Sequence, residues 1–165
     1  MQHADTVVRN VQPADLPGVL ALNDAAVPHV NRITLDDFAG FADTAKYFRV
    51  AAIADGVAGF LIALTPDAEY ESPNFLWFRE RYPSFVYVDR IVVSADARGG
   101  GVGSLLYDDL ANYSRPLAPI ITCEVNIRPA NDGSLAFHAR HGFEPVGEQD
   151  TEGGGKRVRL FVRNL

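Results

Sequence analysis

The chain has 165 residues, 47% hydrophobic and 22% charged, a balance that describes one folded domain over 1–165 rather than a disordered segment. A formal net charge of −6 argues against general nucleic-acid binding, which needs a basic surface, although Arg90, Arg98, Arg128, Lys156 and Arg157 remain available for a local patch. The single cysteine, Cys123, excludes an internal disulfide.

Met1-Gln2-His3-Ala4-Asp5 has neither the basic nor the apolar region of a secretory leader, and no apolar run is long enough to span a bilayer. A cytoplasmic protein with no membrane contact is the expectation. Residues 6–11 form a first strand. Pro13 then precedes Leu16, Val19, Leu20, Asn23 and Val27, which share one mostly apolar face of a helix. Thr34 and Asp37 make a capping box with Asp in place of Glu, opening a second helix through Phe41. Residues 47–54 and 57–64 are β-rich and separated by Asp55-Gly56, a tight-hairpin signal. The stretch 65–83 holds three prolines with Tyr70, Phe75, Trp77, Phe78 and Tyr82, and reads as a long connection that its aromatics keep ordered.

The next segment is the most informative. A strand over 85–93 runs through Arg98-Gly99-Gly100-Gly101-Val102-Gly103 into a helix over 102–113, whose buried stripe is Val102, Leu105, Leu106, Leu110 and Tyr113. Amides at such a helix start have no partner inside the helix and lie at the positive end of its dipole, which makes a seat for a phosphate or pyrophosphate. Glycines admit close approach of the ligand, and Arg98 adds fixed positive charge. A strand over 120–125 follows, then a helix over 132–141 ended by Gly142, then strands 144–147 and 157–162 joined through the flexible turn Gly153-Gly154-Gly155. The order β-α-α-β-β-β-α-β-α-β-β describes an α/β (α+β) chain, a mixed sheet with helices on both faces. Gly99-x-Gly101-x-x-Ser104, with Glu124 downstream, imitates a dinucleotide fingerprint, but the third glycine is missing and the strand sits mid-chain after a hairpin. No Gly-Lys-Ser/Thr occurs, so a P-loop is excluded.

Two landmarks belong together: Arg98-x-x-Gly101-x-Gly103 after a strand, and Asn131-x-x-Ser134-x-x-Phe137-His138-x-x-x-Gly142-Phe143. With the element order, they resemble the GNAT superfamily of N-acetyltransferases. The resemblance covers nearly the whole chain and is most specific over 85–143; the N-terminal third matches only in element order. It implies a mostly antiparallel central sheet of about seven strands and acetyl-CoA (coenzyme A) as co-substrate. It also implies that the amides of Arg98, Gly99, Gly100, Gly101, Val102, Gly103 and Ser104 bind the pyrophosphate. Ile91, Val92 and Val93 match the strand that pairs with the pantetheine arm, and Asn131, Ser134, Phe137 and His138 match the second cofactor-contacting segment. Ser134 stands where the family usually has Ala, and His138 where it usually has Tyr.

That Tyr often protonates the leaving thiolate. His138 can do so if charged, can hydrogen-bond the sulfur while neutral, or can be a packed histidine with one nitrogen satisfied. Amine acetylation also needs a base, because a primary amine is mostly charged at neutral pH. Asp89 is the first candidate, in a strand where the family sometimes places a carboxylate; Glu124 is the second. Against that stands a plain pairing of Asp89 with Arg90 or Arg128. Asn23, His29, Tyr70, Asn74, Trp77 and Asp89 are the expected acceptor-binding residues, with acidic and aromatic character suited to a cationic amine. Cys123 reads as a buried strand cysteine, and His3, His29, His138 and His141 show no metal spacing. The leading expectation is acetyl transfer to a small-molecule amine. Acetylation of protein N-termini or lysines, and non-catalytic acyl-CoA binding, are the alternatives. A homodimer is compatible with the resemblance.

Overall fold

The computed structural model describes residues 5–165; residues 1–4, including His3 and most of the stretch read for a leader, lie outside the described residues. The strands are β1 (Val7–Asn10), β2 (Tyr47–Ile53), β3 (Gly56–Leu64), β4 (Val86–Val93), β5 (Ile120–Arg128), β6 (Glu144–Thr151) and β7 (Lys156–Asn164). The helices are α1 (Leu16–Ala26), α2 (Leu35–Thr44), α3 (Pro73–Arg81), α4 (Val102–Ser114) and α5 (Asp132–Arg140). The seven strands form one sheet in the order β1-β2-β3-β4-β5-β7-β6. The β1–β2, β2–β3, β5–β7 and β6–β7 pairs are antiparallel, and β4–β5 is parallel. The mixed, mostly antiparallel sheet read from the sequence is therefore present. The chain divides into two compact units, Met1–Leu64 with Asp89–Asn112, and Thr65–Val88 with Tyr113–Leu165.

In the first unit, α1 and α2 bury their apolar faces in a cluster of Val19, Phe38, Phe48, Val50, Phe60, Ile62 and Val92. Phe38 meets Phe60 edge-on at 5.7 Å, an arrangement favoured by the ring quadrupoles. The capping box forms as read: Asp37 N–H donates to Thr34 Oγ1 at 3.1 Å and Thr34 N–H to Asp37 Oδ2 at 2.9 Å. The helix outlasts the expected Phe41 because 42–44 contains no breaker. The hairpin turn is Ala54-Asp55 rather than Asp55-Gly56, since Gly56 already pairs with Ile53. Gly56 has φ +137°, so the glycine serves the first position of β3.

In the second unit, the expected long connection contains a helix, α3. Its start signal is Ser72-Pro73, proline being preorganised for a first helical position. Phe75 and Phe78, one turn apart, are fully buried against Phe85 and Tyr87. β6 runs to Thr151, well beyond the expected 147. It was short in the sequence reading because its alternation is one of charge rather than hydrophobicity. Arg157 pairs with Glu148 and Asp150, and Arg159 with Glu148, across the β6–β7 ribbon. The glycine turn is a 3₁₀ segment, Glu152–Gly154, with Gly153 and Gly154 at positive φ.

Candidate active site

The glycine-rich segment lies in the first unit, between β4 and α4. A 3₁₀ turn, Ala95–Ala97, is followed by Arg98 in extended conformation, Gly99 at φ +79° and Gly101 at φ +89°. Open space surrounds the Cβ positions of Gly99 and Gly101, so the left-handed backbone, not crowding, demands glycine there. The helix is entered through Leu105 N–H bonding Gly101 O at 2.9 Å. The amides of Val102 and Gly103 consequently have no carbonyl a turn back within α4. Arg98 is exposed beside this turn. Phosphate-binding chemistry requires unmatched amides, a helix N-terminus and a guanidinium, and the segment supplies all three.

The parallel register of β4 with β5 covers Val86↔Ile121 and Tyr87↔Thr122, while β4 itself continues through Ile91, Val92 and Val93. Gly59 of β3 lies against this end of β4: a Cβ there would stand 2.8 Å from Val92 O. Ser94 N–H donates to Ala58 O at 2.7 Å, fixing where β4 ends.

Asp89 is paired. Its Oδ2 accepts from Arg90 Nε at 2.8 Å, and the Asp89 and Arg90 side chains are 4% and 7% exposed. Arg90 Nη1 also donates to Asn23 Oδ1 at 3.0 Å and Asn31 O at 3.1 Å, and Asn23 Nδ2 donates to Asn31 O. Asn23, expected at the acceptor, is fully buried in this latch between α1, the segment after it and β4. His29 is exposed on that segment. Arg128 pairs with Asp150.

In the second unit, Glu124 on β5 is half-buried, and its Oε1 accepts from Tyr87 Oη at 2.8 Å and Asn74 Nδ2 at 3.1 Å. Asn74 Oδ1 in turn accepts from Gln149 Nε2 at 2.9 Å. Trp77, one turn along α3 from Asn74, lies on Gly147 so closely that a Cβ there would sit 2.6 Å from the indole. Arg81 covers the same indole at 4.0 Å, and Tyr70 packs edge-on against Phe75. Asn74 thus joins the carboxylate, while Trp77 packs on Gly147 and Tyr70 on Phe75. Gln149 was absent from the sequence reading: a glutamine beyond the expected end of β6 gives no local signal.

Asn131 opens α5 through its backbone, Leu135 N–H bonding Asn131 O, and its side chain makes no cap bond. His138 is buried at 3% exposure among Phe137, Phe143 and Phe161. Nδ1 lies 2.8 Å from Ser134 O, so Nδ1 carries the hydrogen, and Ser134 Oγ is 3.3 Å from the same nitrogen. Burial, aided by His141, pushes its pKa down to about 4 against the Ser134 carbonyl bond. The imidazole is neutral at pH 7, with Nε2 an acceptor. Gly142, at φ +83°, closes the helix, and Phe143 N–H returns to His138 O. Cys123 is buried and in no disulfide. Among the described residues, no group of three or more His, Cys, Asp or Glu is placed to hold a metal ion, and no helix is long and apolar enough to cross a membrane.

The chain belongs to the Acetyltransferase (GNAT) family, whose profile matches residues 20–143 and so contains both landmarks. Members of this family use acetyl-CoA, and the first-turn amides, glycines and Arg98 suit its pyrophosphate. The chain is similar to the ribosomal-protein-alanine N-acetyltransferase of Brucella melitensis, with 22% identity, a TM-score of 0.72, and 96% of this chain and 99% of that chain covered. It is also similar to Ard1 of Thermoplasma volcanium, with 17% identity, a TM-score of 0.78 and 97% of each chain covered. NAA60 of Arabidopsis thaliana, solved with a bisubstrate analogue, gives 18% identity, a TM-score of 0.77, and coverage of 96% of this chain and 97% of that one. No curated protein matches the sequence. At these identities the solved structures establish the fold, and function must be argued from the site.

Proposed function

We propose that this protein moves the acetyl group of acetyl-CoA to the primary amine of a small molecule, by direct attack of the amine in a ternary complex. The observation that carries the proposal is the pair of left-handed glycines, Gly99 and Gly101, that turns β4 into the first turn of α4 at the family's pyrophosphate motif. The amides of Gly99 and of Gly101 through Ser104, with the Arg98 side chain, hold the pyrophosphate; those of Arg98 and Gly100 are bonded instead to Ala95 O and Ala97 O. The main chain of Ile91, Val92 and Val93 pairs with the pantetheine arm, with a β4 amide polarising the thioester carbonyl.

Glu124 takes the proton of the acceptor ammonium, directly or through water. A carboxylate pinned by Tyr87 and Asn74 keeps one orientation, as a base must. Asp89 is spent on Arg90. The neutral state and Nδ1–H bond of His138 support a packing role rather than proton donation to the thiolate, which leaves with a pKa near ~8.5 and needs little help. α3 lies over the strands around Glu124, through the Asn74 bond to Glu124 and the Trp77 contact with Gly147. That cover favours a slim amine over a polypeptide.

Thiol release from acetyl-CoA across a panel of amino acids, polyamines and N-terminal peptides tests the proposal. Turnover confined to free amines is the expected result. Turnover of peptides alone transfers the activity to protein acceptors, the class named for the Brucella relative. Calorimetric binding of acetyl-CoA with no transfer to any acceptor makes the chain a binding protein.

A further inference from the structure

We infer that Gln149, acting through Asn74, is a positioning residue that sets the proton affinity of Glu124; the inference rests on the reading of Glu124 as the base. Three side chains from three elements form one line. Gln149 Nε2 on β6 donates to Asn74 Oδ1 on α3 at 2.9 Å, and Asn74 Nδ2 donates to Glu124 Oε1 on β5 at 3.1 Å. An ionised carboxylate only accepts hydrogen bonds, so Asn74 must present its NH₂ to Glu124 and turn its carbonyl outward. That carbonyl then needs a donor, and Gln149 supplies it. Each amide dipole points its positive end at the carboxylate, and each orientation enforces the next.

The approach of α3 that makes this line possible is built into the strand below. Asn74 and Trp77 are one turn apart, on one side of the helix. Trp77 can settle onto β6 because residue 147 has no side chain. Across the sheet, Glu124 stands opposite Leu160, Leu160 opposite Gly147, and Val158 opposite Gln149, so these residues share one face.

The charged groups of α3 and the paired charges of the β6–β7 ribbon are engaged with other partners. Tyr87 faces Glu124 from β4. From β7 the opposed residue is Leu160, and from α3 it is Asn74. Arg79 and Arg81 of α3 lie over Phe75 and Trp77, with Glu80 beside Arg81. Arg157, Arg159, Glu148 and Asp150 alternate to the other face of the β6–β7 ribbon and pair with one another there.

The test is a carboxyl ¹³C NMR titration of the intact resting protein, with the Glu124 resonance identified by its loss in Glu124→Gln. In Gln149→Glu, Asn74 faces two acceptors and can serve only one, so the Glu124 pKa is expected to rise by about one unit. Gln149→Met, which removes the donor without adding charge, shifts it in the same direction by less. Placing Gln149→Glu in an Asn74→Ala background separates the relay from charge repulsion through space. If the increment due to Glu at 149 shrinks there to a small fraction, the relay stands. If it persists undiminished, or if neither single variant moves Glu124, the inference is overturned. Glu124→Gln also tests the underlying reading: full kcat/KM with an unchanged acid limb removes Glu124 from the chemistry, whatever the NMR shifts of the Gln149 variants.

Discussion

Asp89 accepts a hydrogen bond at 2.8 Å from the Nε of its own chain neighbour, Arg90, and both side chains are almost completely withdrawn from water. Consecutive residues of a strand usually point to opposite faces, so a pair this close requires the guanidinium to fold back, held by Asn23 and the Asn31 carbonyl. Removing one partner strands a buried charge. Asp89→Asn is therefore expected to lower unfolding stability in urea by about 3 kcal/mol while leaving the acid limb of kcat/KM in place. Loss of that limb would return the role of base to Asp89.

Glu124→Gln keeps the size of the side chain and its bond to Tyr87 but removes the proton acceptor. A fall in kcat/KM of roughly 10²- to 10⁴-fold is expected, with little change in coenzyme A affinity by calorimetry.

His138 makes a pH-dependent contribution whose sign follows from its depressed pKa, about 4 against 6.5 for the unperturbed group. The unfolded chain takes up a proton at this site below ~6.5, and the folded chain does so only near 4. Its stabilising effect is thus complete above pH 6.5 and is lost as pH falls through 4. Between pH 7 and 4, wild type should lose about 3 kcal/mol more than His138→Phe in urea titrations. The phenylalanine variant should retain kcat within about threefold, since it fits the ring nest of Phe137, Phe143 and Phe161.

Gly101→Ala places a Cβ on a residue at φ +89°. The backbone then relaxes away from the left-handed region, at a cost of about 1 kcal/mol if it does not. Coenzyme A binding should weaken by about tenfold in calorimetry, with a rise in KM for acetyl-CoA exceeding any fall in kcat. Unchanged affinity would place the pyrophosphate elsewhere.

Gly147→Ala drives a methyl into the Trp77 indole, 2.6 Å away before relaxation. A destabilisation of about 1–3 kcal/mol is expected, partly recovered in the double variant with Trp77→Leu; additive losses in thermal melts would show that the two positions do not collide.

Elements with a strong apolar period and a cap were legible in the chain: α2 from Thr34 and Asp37, and α4 from its stripe and glycine entry. The glycine turn into α4 was legible because glycines follow a strand and precede an apolar helical stripe within a few residues. α3 was hidden by its neighbours, since three prolines over 65–83 outweighed the Ser72-Pro73 start signal. β6 was truncated because its outward residues are carboxylates matched by arginines, a pattern without hydrophobic alternation. The setting of Glu124 escaped altogether. Its bonds come from residues 50, 37 and, through Asn74, 75 positions apart, distances over which only the fold can bring groups together.

β6 and β1 are the two outer strands of the sheet, and they end it differently. β1 offers only four residues to a newcomer. β6 offers eight, but beside them runs a band in which Arg157 and Arg159 hold Glu148 ionised below the ordinary carboxylate range, as Arg157 does Asp150. An extended foreign segment trying to zip onto that margin meets fixed, hydrated charge where amyloid-type stacking needs a dry surface. The same arginine ladder that lengthens the hairpin thereby keeps fixed charge along this outer strand.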